Sequence, residues 1–384
     1  MVFQNADSID IFLSLLRSGM YGRPLDEYEL PETIDWERVV TLARKHAVYG
    51  IIIDSVQFLP ERLRPSESLS DKMNKFALGL IQTNILLDRT AARLVAFFKQ
   101  YGLEGVLLKG QGVARYYREP QMRHSGDIDF YVGRKNYKKA VALCKEKLIG
   151  DKGKWEKIGI HFTFKMRGVQ IEIHRLASRM SSPFRNRRFQ NWIVEQLEYS
   201  PDRRILTLDN TDITLPSYDF DAIFIFYHAW RHYIMGGIGM RQLCDWAMIF
   251  HTHAEDIDIP KLKHHIQRFG IIKEWQLFAC IAVNHLGVPK DKIPLYDPSY
   301  SEKSEKIFQE IMDGGNFGFY TVANTRTPML GYGLRHGLGK VRNITGYFIS
   351  LFPLIPVEAT FLYFHRLFHG TIDLIKRSRH KSDN

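Results

Sequence analysis

Cysteine is scarce in this chain of 384 residues: Cys144, Cys244 and Cys280 are odd in number and far apart. That argues against a disulfide framework and against a zinc knuckle, and leaves the thiols as small core residues. A basic segment is missing before the first apolar residues. In MVFQNADSIDIFLSLLRSGM, Asp7 and Asp10 stand there instead, so the stretch reads as a helix and not as a signal peptide, and the expected location is the cytoplasm. The aromatic tail over 344–368 is interrupted by Pro353, Pro356 and Glu358, which weakens it as a membrane span of about 20 apolar residues. No period of a helical array repeats, and no zinc-finger or similar signature appears, so sequence-specific nucleic-acid binding is not expected.

What is present is ordinary for a globular protein: 45% hydrophobic and 25% charged residues, enough for two or three cores. The net charge of +11 suits an anionic partner, whether nucleotide phosphate, nucleic acid or acidic lipid. The residues before about 102 read as helical. Asp35 precedes a run in which Val39, Val40, Ala43, Ala47 and Ile51 follow helical spacing, and Ser70 or Asp71 can cap a long helix through Phe76, Leu80, Leu87, Leu94 and Phe98. From Gly105 the pattern shortens to a strand (GVLLKG), a short helix (QGVARYY) and a second strand (DIDFYV). An amphipathic helix follows, with Tyr137, Val141, Cys144 and Leu148 on one stripe.

The segment HFTFKMRGVQIEIH alternates apolar and polar residues on both sides of Arg167-Gly168. A two-residue turn there sets Met166 opposite Val169, Thr163 opposite Glu172 and His161 opposite His174, with Glu172 on the polar face. Pro216-Ser217 then opens four consecutive helix candidates: YDFDAIFIFYHAWRHYI, IGMRQLCDWAMIFHTH, PKLKHHIQRFG and IKEWQLFACIAVNHLG.

Strand periodicity turns Asp127 and Asp129 to one face and Ile128 and Phe130 to the other. Two like charges on a shared face call for a cation, and a divalent metal leads the candidates. Taken singly, Asp127 also fits the solvated start of a strand and Asp129 an edge charge. His228 and His232 stand one helical turn apart, a zinc-compatible spacing, but no further ligand follows at a telling distance, so packing at a cleft is expected. Arg241 and Asp245, at i,i+4, read as a surface ion pair.

The order LLKG, RHSGDIDFYV, VQIEIH and then a helical block with H…RQLCDWA resembles the uncharacterised bacterial nucleotidyltransferase family of the DNA polymerase beta-like superfamily, from the N-terminal helices to about residue 287. The resemblance implies an α+β fold: a small mixed sheet with flanking helices, embedded between helical regions. The expected division is 1–102 helical, 103–212 catalytic core, 213–330 helical and 331–384 a basic aromatic tail. It implies Mg²⁺ or Mn²⁺ on Asp127, Asp129 and Glu172, with Glu172 completing the site or acting as base. Lys109, Gly110, Gln111, Arg123 and Ser125 are implied to meet the nucleotide phosphates, aided by Arg115 and by a helix N-terminus after Gly110. Gln111 stands where the pattern has serine, and the gap from Gly110 to Asp127 is longer than usual. His161 and His174 are expected to hydrogen-bond the ligands, and His228, His232, Arg241 and Asp245 to line an acceptor cleft. The implied reaction moves a nucleoside monophosphate from an NTP, with ATP the expected donor, to an acceptor hydroxyl with release of pyrophosphate. The rival readings are a nucleotide-binding or protein-interaction module without transfer, and a membrane-surface scaffold in peripheral contact with the inner membrane through the tail.

Overall fold

The computed structural model describes residues 8–25, 31–149 and 154–316, together with positions 349, 352, 356, 357, 359–361, 363 and 364. Most of the basic aromatic tail lies outside the described residues. The fold is α+β, with helices flanking a mixed five-stranded sheet and a small two-stranded one.

The large sheet contains β1 (Val106–Leu108), β2 (Asp127–Tyr131), β3 (Trp155–Ile158), β4 (His161–Met166) and β5 (Val169–His174), in the order β1-β2-β5-β4-β3. Only β2 and β5 are parallel neighbours. The β4–β5 hairpin has the expected register, with Met166 opposite Val169, Thr163 opposite Glu172 and His161 opposite His174. Arg167 and Gly168 both take positive φ, 53° and 84°, as a two-residue turn that matches strand twist requires. Phe162, Phe164, Ile171 and Ile173 are buried on one face with Ile128 and Phe130.

That apolar face is covered by α4 (Glu67–Gln100), which supplies Leu87, Ala91, Leu94, Val95 and Phe98, and Phe98 stacks on Phe130 with ring centroids 5.5 Å apart. The helix starts at Glu67, earlier than Ser70 or Asp71, because Pro65-Ser66 already breaks the chain and Ser66 occupies the cap position. On the sheet, α6 (Gly133–Leu143) contributes Tyr137 and Ala140, and the buried Cys144 follows it. The hairpin of β6 (Arg204–Leu208) and β7 (Thr211–Leu215) lies against α4, with β7 also against β1. Its turn residues Asp209 and Asn210 have positive φ. This hairpin was not expected, although Asp-Asn between alternating apolar residues is a readable signal.

The second core gathers α1 (Ser8–Tyr21), α2 (Trp36–Lys45), α3 (Tyr49–Ser55) and the helices from α7 (Pro183–Val194) onward: α8 (Tyr218–Gly236), α9 (Met240–His253), α10 (Ile259–Phe269), α11 (Ile272–Asn284) and α12 (Ser301–Gly314). The four helices expected after Pro216 are α8 to α11. The single helical run expected from Val39 to Ile51 is instead two helices. The chain closes α2 by bonding the Val48 N–H to the Ala43 carbonyl with Ala47 left-handed at φ 57°, an αL stop that local spacing does not reveal. All three cysteines are free and buried, as expected. Among the described residues no helix is long and apolar enough to cross a membrane.

The loop before β2 is held from two sides. Asn84 of α4 donates to the Gln121 and Arg123 carbonyls, at 2.8 and 2.9 Å. Gly50 of α3 lies so close to the Met122 carbonyl that a Cβ there would stand 2.0 Å from the oxygen. The helical layer thereby sets where β2 begins.

Candidate active site

Asp127 and Asp129 leave β2 on the face opposite Ile128 and Phe130, and the parallel register places Gln170 beside Asp127 and Glu172 beside Asp129. Asp127, Asp129 and Glu172 each offer an oxygen to a group whose members lie within 4.8 Å of one another. Repulsion from Asp129, with burial and Glu172 adding to it and Lys109 opposing, raises the Asp127 carboxyl above its ordinary value. Asp129 shifts the other way. Although burial works against its ionisation, Lys109 and His174 hold it well below the usual carboxylate range.

Both partners are close. Lys109 Nζ lies 2.8 Å from Asp129 Oδ2, brought there by a turn in which Lys109 and Gly110 both take positive φ. His174 Nε2 lies 2.9 Å from Asp129 Oδ1 and 3.4 Å from Glu172 Oε2, while Nδ1 faces the Leu176 carbonyl at 3.2 Å. A ring with oxygen acceptors at both nitrogens carries both protons. Burial opposes that charge, yet the hydrogen bonds to Asp129 and Glu172 push the His174 pKa up to about 9. His161 Nδ1 stands 3.4 Å from Glu172 Oε2, and its pKa is lowered, by burial above all. Gln170 Nε2 donates to Glu172 Oε1 at 3.1 Å.

Three carboxylates thus face Lys109 and His174, with Arg241 also acting on Asp127. The donors are hard oxygens converging on one volume, the ligand set that a divalent cation takes. A group of His161, Glu172 and His174 also converges; His228 and His232 join no such group among the described residues. Their rings lie 4.5 Å apart on α8 and line the same cleft, and burial depresses both, His232 to about 4.

The cleft holds about 620 Å³ between the carboxylate face of the sheet and the helices α8 and α9. Arg123 and Ser125 lie in its wall, but Arg123 is clamped on Asp245, at 2.7 and 2.6 Å, and donates to Ser125 Oγ at 2.8 Å. Tyr117 adds a hydroxyl to Asp245 at 2.9 Å. The surface pair expected between Arg241 and Asp245 is therefore absent. Asp245 is buried and engaged by Arg123, and Arg241 donates instead to the His124 carbonyl at 2.8 Å. Tertiary packing overrides the i,i+4 neighbour because a buried carboxylate needs the bidentate partner.

Gln111 is buried outside the cleft lining, with its amide bonded to Asp88 and, at 3.4 Å, to the Asn84 carbonyl. Arg115 pairs with the same Asp88 at 2.8 Å. The helix after Gly110, α5 (Gln111–Ala114), is a single turn in which the Gly112 and Ala114 N–H groups already bond to the Lys109 and Gly110 carbonyls. The expected N-terminal phosphate cradle has few donors left.

The model of the uncharacterised nucleotidyltransferase family matches residues 32–287, more than half of the chain. The chain belongs to this family. No curated protein and no solved structure matches it. The matched span of this nucleotidyltransferase family member contains every residue that lines the cleft, from the sheet and from α8 and α9 alike. Sequence reading had overlooked Arg231 and Tyr117. Arg231 was detectable, since His228, Arg231 and His232 form a polar stripe beyond the apolar run that follows Asp219 and Asp221 in the same helix.

Proposed function

We propose that the protein transfers a nucleoside monophosphate from an NTP to an acceptor hydroxyl. The observation that carries this is the convergence of Asp127, Asp129 and Glu172 on adjacent parallel strands in the lining of a cleft of about 620 Å³. Asp127, Asp129 and Glu172 would hold Mg²⁺ or Mn²⁺, which when bound supplies charge neutralisation at the reacting phosphate. The acceptor oxygen attacks the α-phosphorus, and an O–P bond forms as the bond to the bridging oxygen of the β-phosphate breaks. Pyrophosphate leaves with that electron pair, and Glu172 takes the hydroxyl proton. His174 and His161 orient the carboxylates, and Lys109 keeps Asp129 ionised.

A second reading, nucleotide binding without transfer, is favoured by Gln111, whose side chain is turned away from the cleft and supplies no hydroxyl at the turn. Incubation with ATP labelled at the α- or the γ-phosphate, with Mg²⁺ or Mn²⁺ and a cell extract as acceptor source, separates the two. Transfer predicts α-label in a product and γ-label in pyrophosphate, both lost in Asp127→Asn. Stoichiometric nucleotide binding with no labelled product in any metal would leave the binding module.

A further inference from the structure

On the segment between β1 and β2, which the sequence offered for phosphate binding, the cations are already neutralised: Lys109 by Asp129, Arg115 by Asp88, Arg118 by Asp54 and Arg123 by Asp245. The spare positive charge sits across the cleft. Arg231 of α8, half-buried in the lining, makes no ion pair among the described residues. Arg241 of α9 uses one Nη on the His124 carbonyl, and its buried Nε has no acceptor. Neither guanidinium makes an ion pair among the described residues; Asp245 and Asp127 favour the Arg241 charge only at longer range, and burial lowers the basicity of both arginines. His228 lies one turn before Arg231 on the same lining, and His232 follows it. The wall stands within electrostatic reach of the acidic cluster, since Arg241 bears on Asp127, and Asp129 on His232.

We infer that Arg231 and Arg241, with His228 and His232 between them, grip the β- and γ-phosphates of the nucleotide, so that the helical layer and not the turn at Gly110 holds the triphosphate. This rests on the transfer reading above and assigns the part of the site that it leaves open. A triphosphate spanning the cleft places its α-phosphate at the carboxylates and its terminal phosphates against α8 and α9. Guanidinium groups suit it because each offers several donors in a planar fork. As the bond to the α-phosphorus breaks, charge builds on the departing oxygen of the β-phosphate, and donors fixed on two rigid helices meet it there. Burial lowers the basicity of all four groups, with repulsion added by Arg179 at Arg231, by Arg123 at Arg241 and by Lys109 at His228 and His232, and an entering anion offsets that loss.

The test is calorimetric titration of the full chain with inorganic tripolyphosphate, ATP and adenosine, each with Mg²⁺, on wild type, Arg231→Gln, Arg241→Lys and, as a control for general charge, the exposed Lys138→Gln. The expected result is that Arg231→Gln weakens tripolyphosphate and ATP by about tenfold or more while adenosine is unchanged. Lys138→Gln should leave all three ligands unchanged. Arg241→Lys, which keeps the charge but loses the fork, should weaken tripolyphosphate and ATP less than Arg231→Gln does and leave adenosine unchanged. If wild type binds ATP and transfers label while both arginine variants keep full affinity, the inference is overturned and the transfer reading stands; a wall that serves an acceptor phosphate gives this result. If tripolyphosphate binds through the arginines but no label moves, the wall is upheld and transfer fails. If wild type binds neither phosphate ligand, both are overturned.

Discussion

Arg123 donates two parallel hydrogen bonds to Asp245, Nε to Oδ1 at 2.7 Å and Nη2 to Oδ2 at 2.6 Å, joining the loop before β2 to α9. Both side chains are buried, so this clamp ties the carboxylate sheet to the helical wall and sets the width of the cleft. Asp245→Ala strands a buried guanidinium and should cost about 3–5 kcal/mol in denaturant unfolding. Arg123→Lys, which cannot reproduce the fork, should also destabilise. Replacing both partners by apolar residues should cost less than Asp245→Ala alone, and a double-mutant cycle without coupling would show that the clamp is not structural.

The two strand aspartates should behave oppositely. Asp127 is raised by repulsion from Asp129, so Asp127→Asn in metal-free buffer should leave the melting temperature unchanged or higher. Asp129 is 1% exposed and holds both Lys109 and His174, so Asp129→Asn should lose about 3–5 kcal/mol. Equal melting shifts for the two variants would contradict this division of labour. Both should lose Mg²⁺-dependent NTP binding.

Glu172 and Ile171 are adjacent in sequence and face opposite sides of the sheet. Glu172→Gln should keep most NTP affinity and lower transfer by at least ~10²-fold, the scale of losing a general base. Ile171→Gln buries an unpaired amide and should destabilise by roughly 1–3 kcal/mol. A Glu172→Gln enzyme with undiminished single-turnover transfer would remove Glu172 from the proton step.

His46, packed against the start of α9, provides an acid-sensitive contribution to stability. Fully buried after α2, with its Nδ1 facing the Met240 N–H, it is depressed from 6.5 to about 4, chiefly by burial. Between those values the unfolded chain binds a proton that the folded chain refuses, so stability is present above pH 6.5 and falls as pH drops toward 4. At 1.36 kcal/mol per unit the loss approaches about 3 kcal/mol. His46→Gln should flatten the slope of unfolding free energy across that window, and an unchanged slope would assign acid sensitivity to other groups.

The sequence by itself determined the features that depend on local periodicity. Alternation around Arg167-Gly168 set the hairpin register, because a one-residue slip would expose Ile171 and Ile173 and bury Glu172. The same rule put Asp127 and Asp129 on one face, and helical spacing marked α8 to α11. Only the tertiary structure decided which distant partners meet. Parallel pairing of β2 with β5 brought Glu172 to Asp129, across a connection that no local pattern encodes. Arg123 took Asp245 away from its helical neighbour Arg241, and Asp88 took Gln111 and Arg115 away from the cleft. The physical reason is that local patterns report which face a residue is buried on. The partner of a buried charge is chosen by whichever opposite charge or donor the packed chain brings within reach, and that depends on the whole fold.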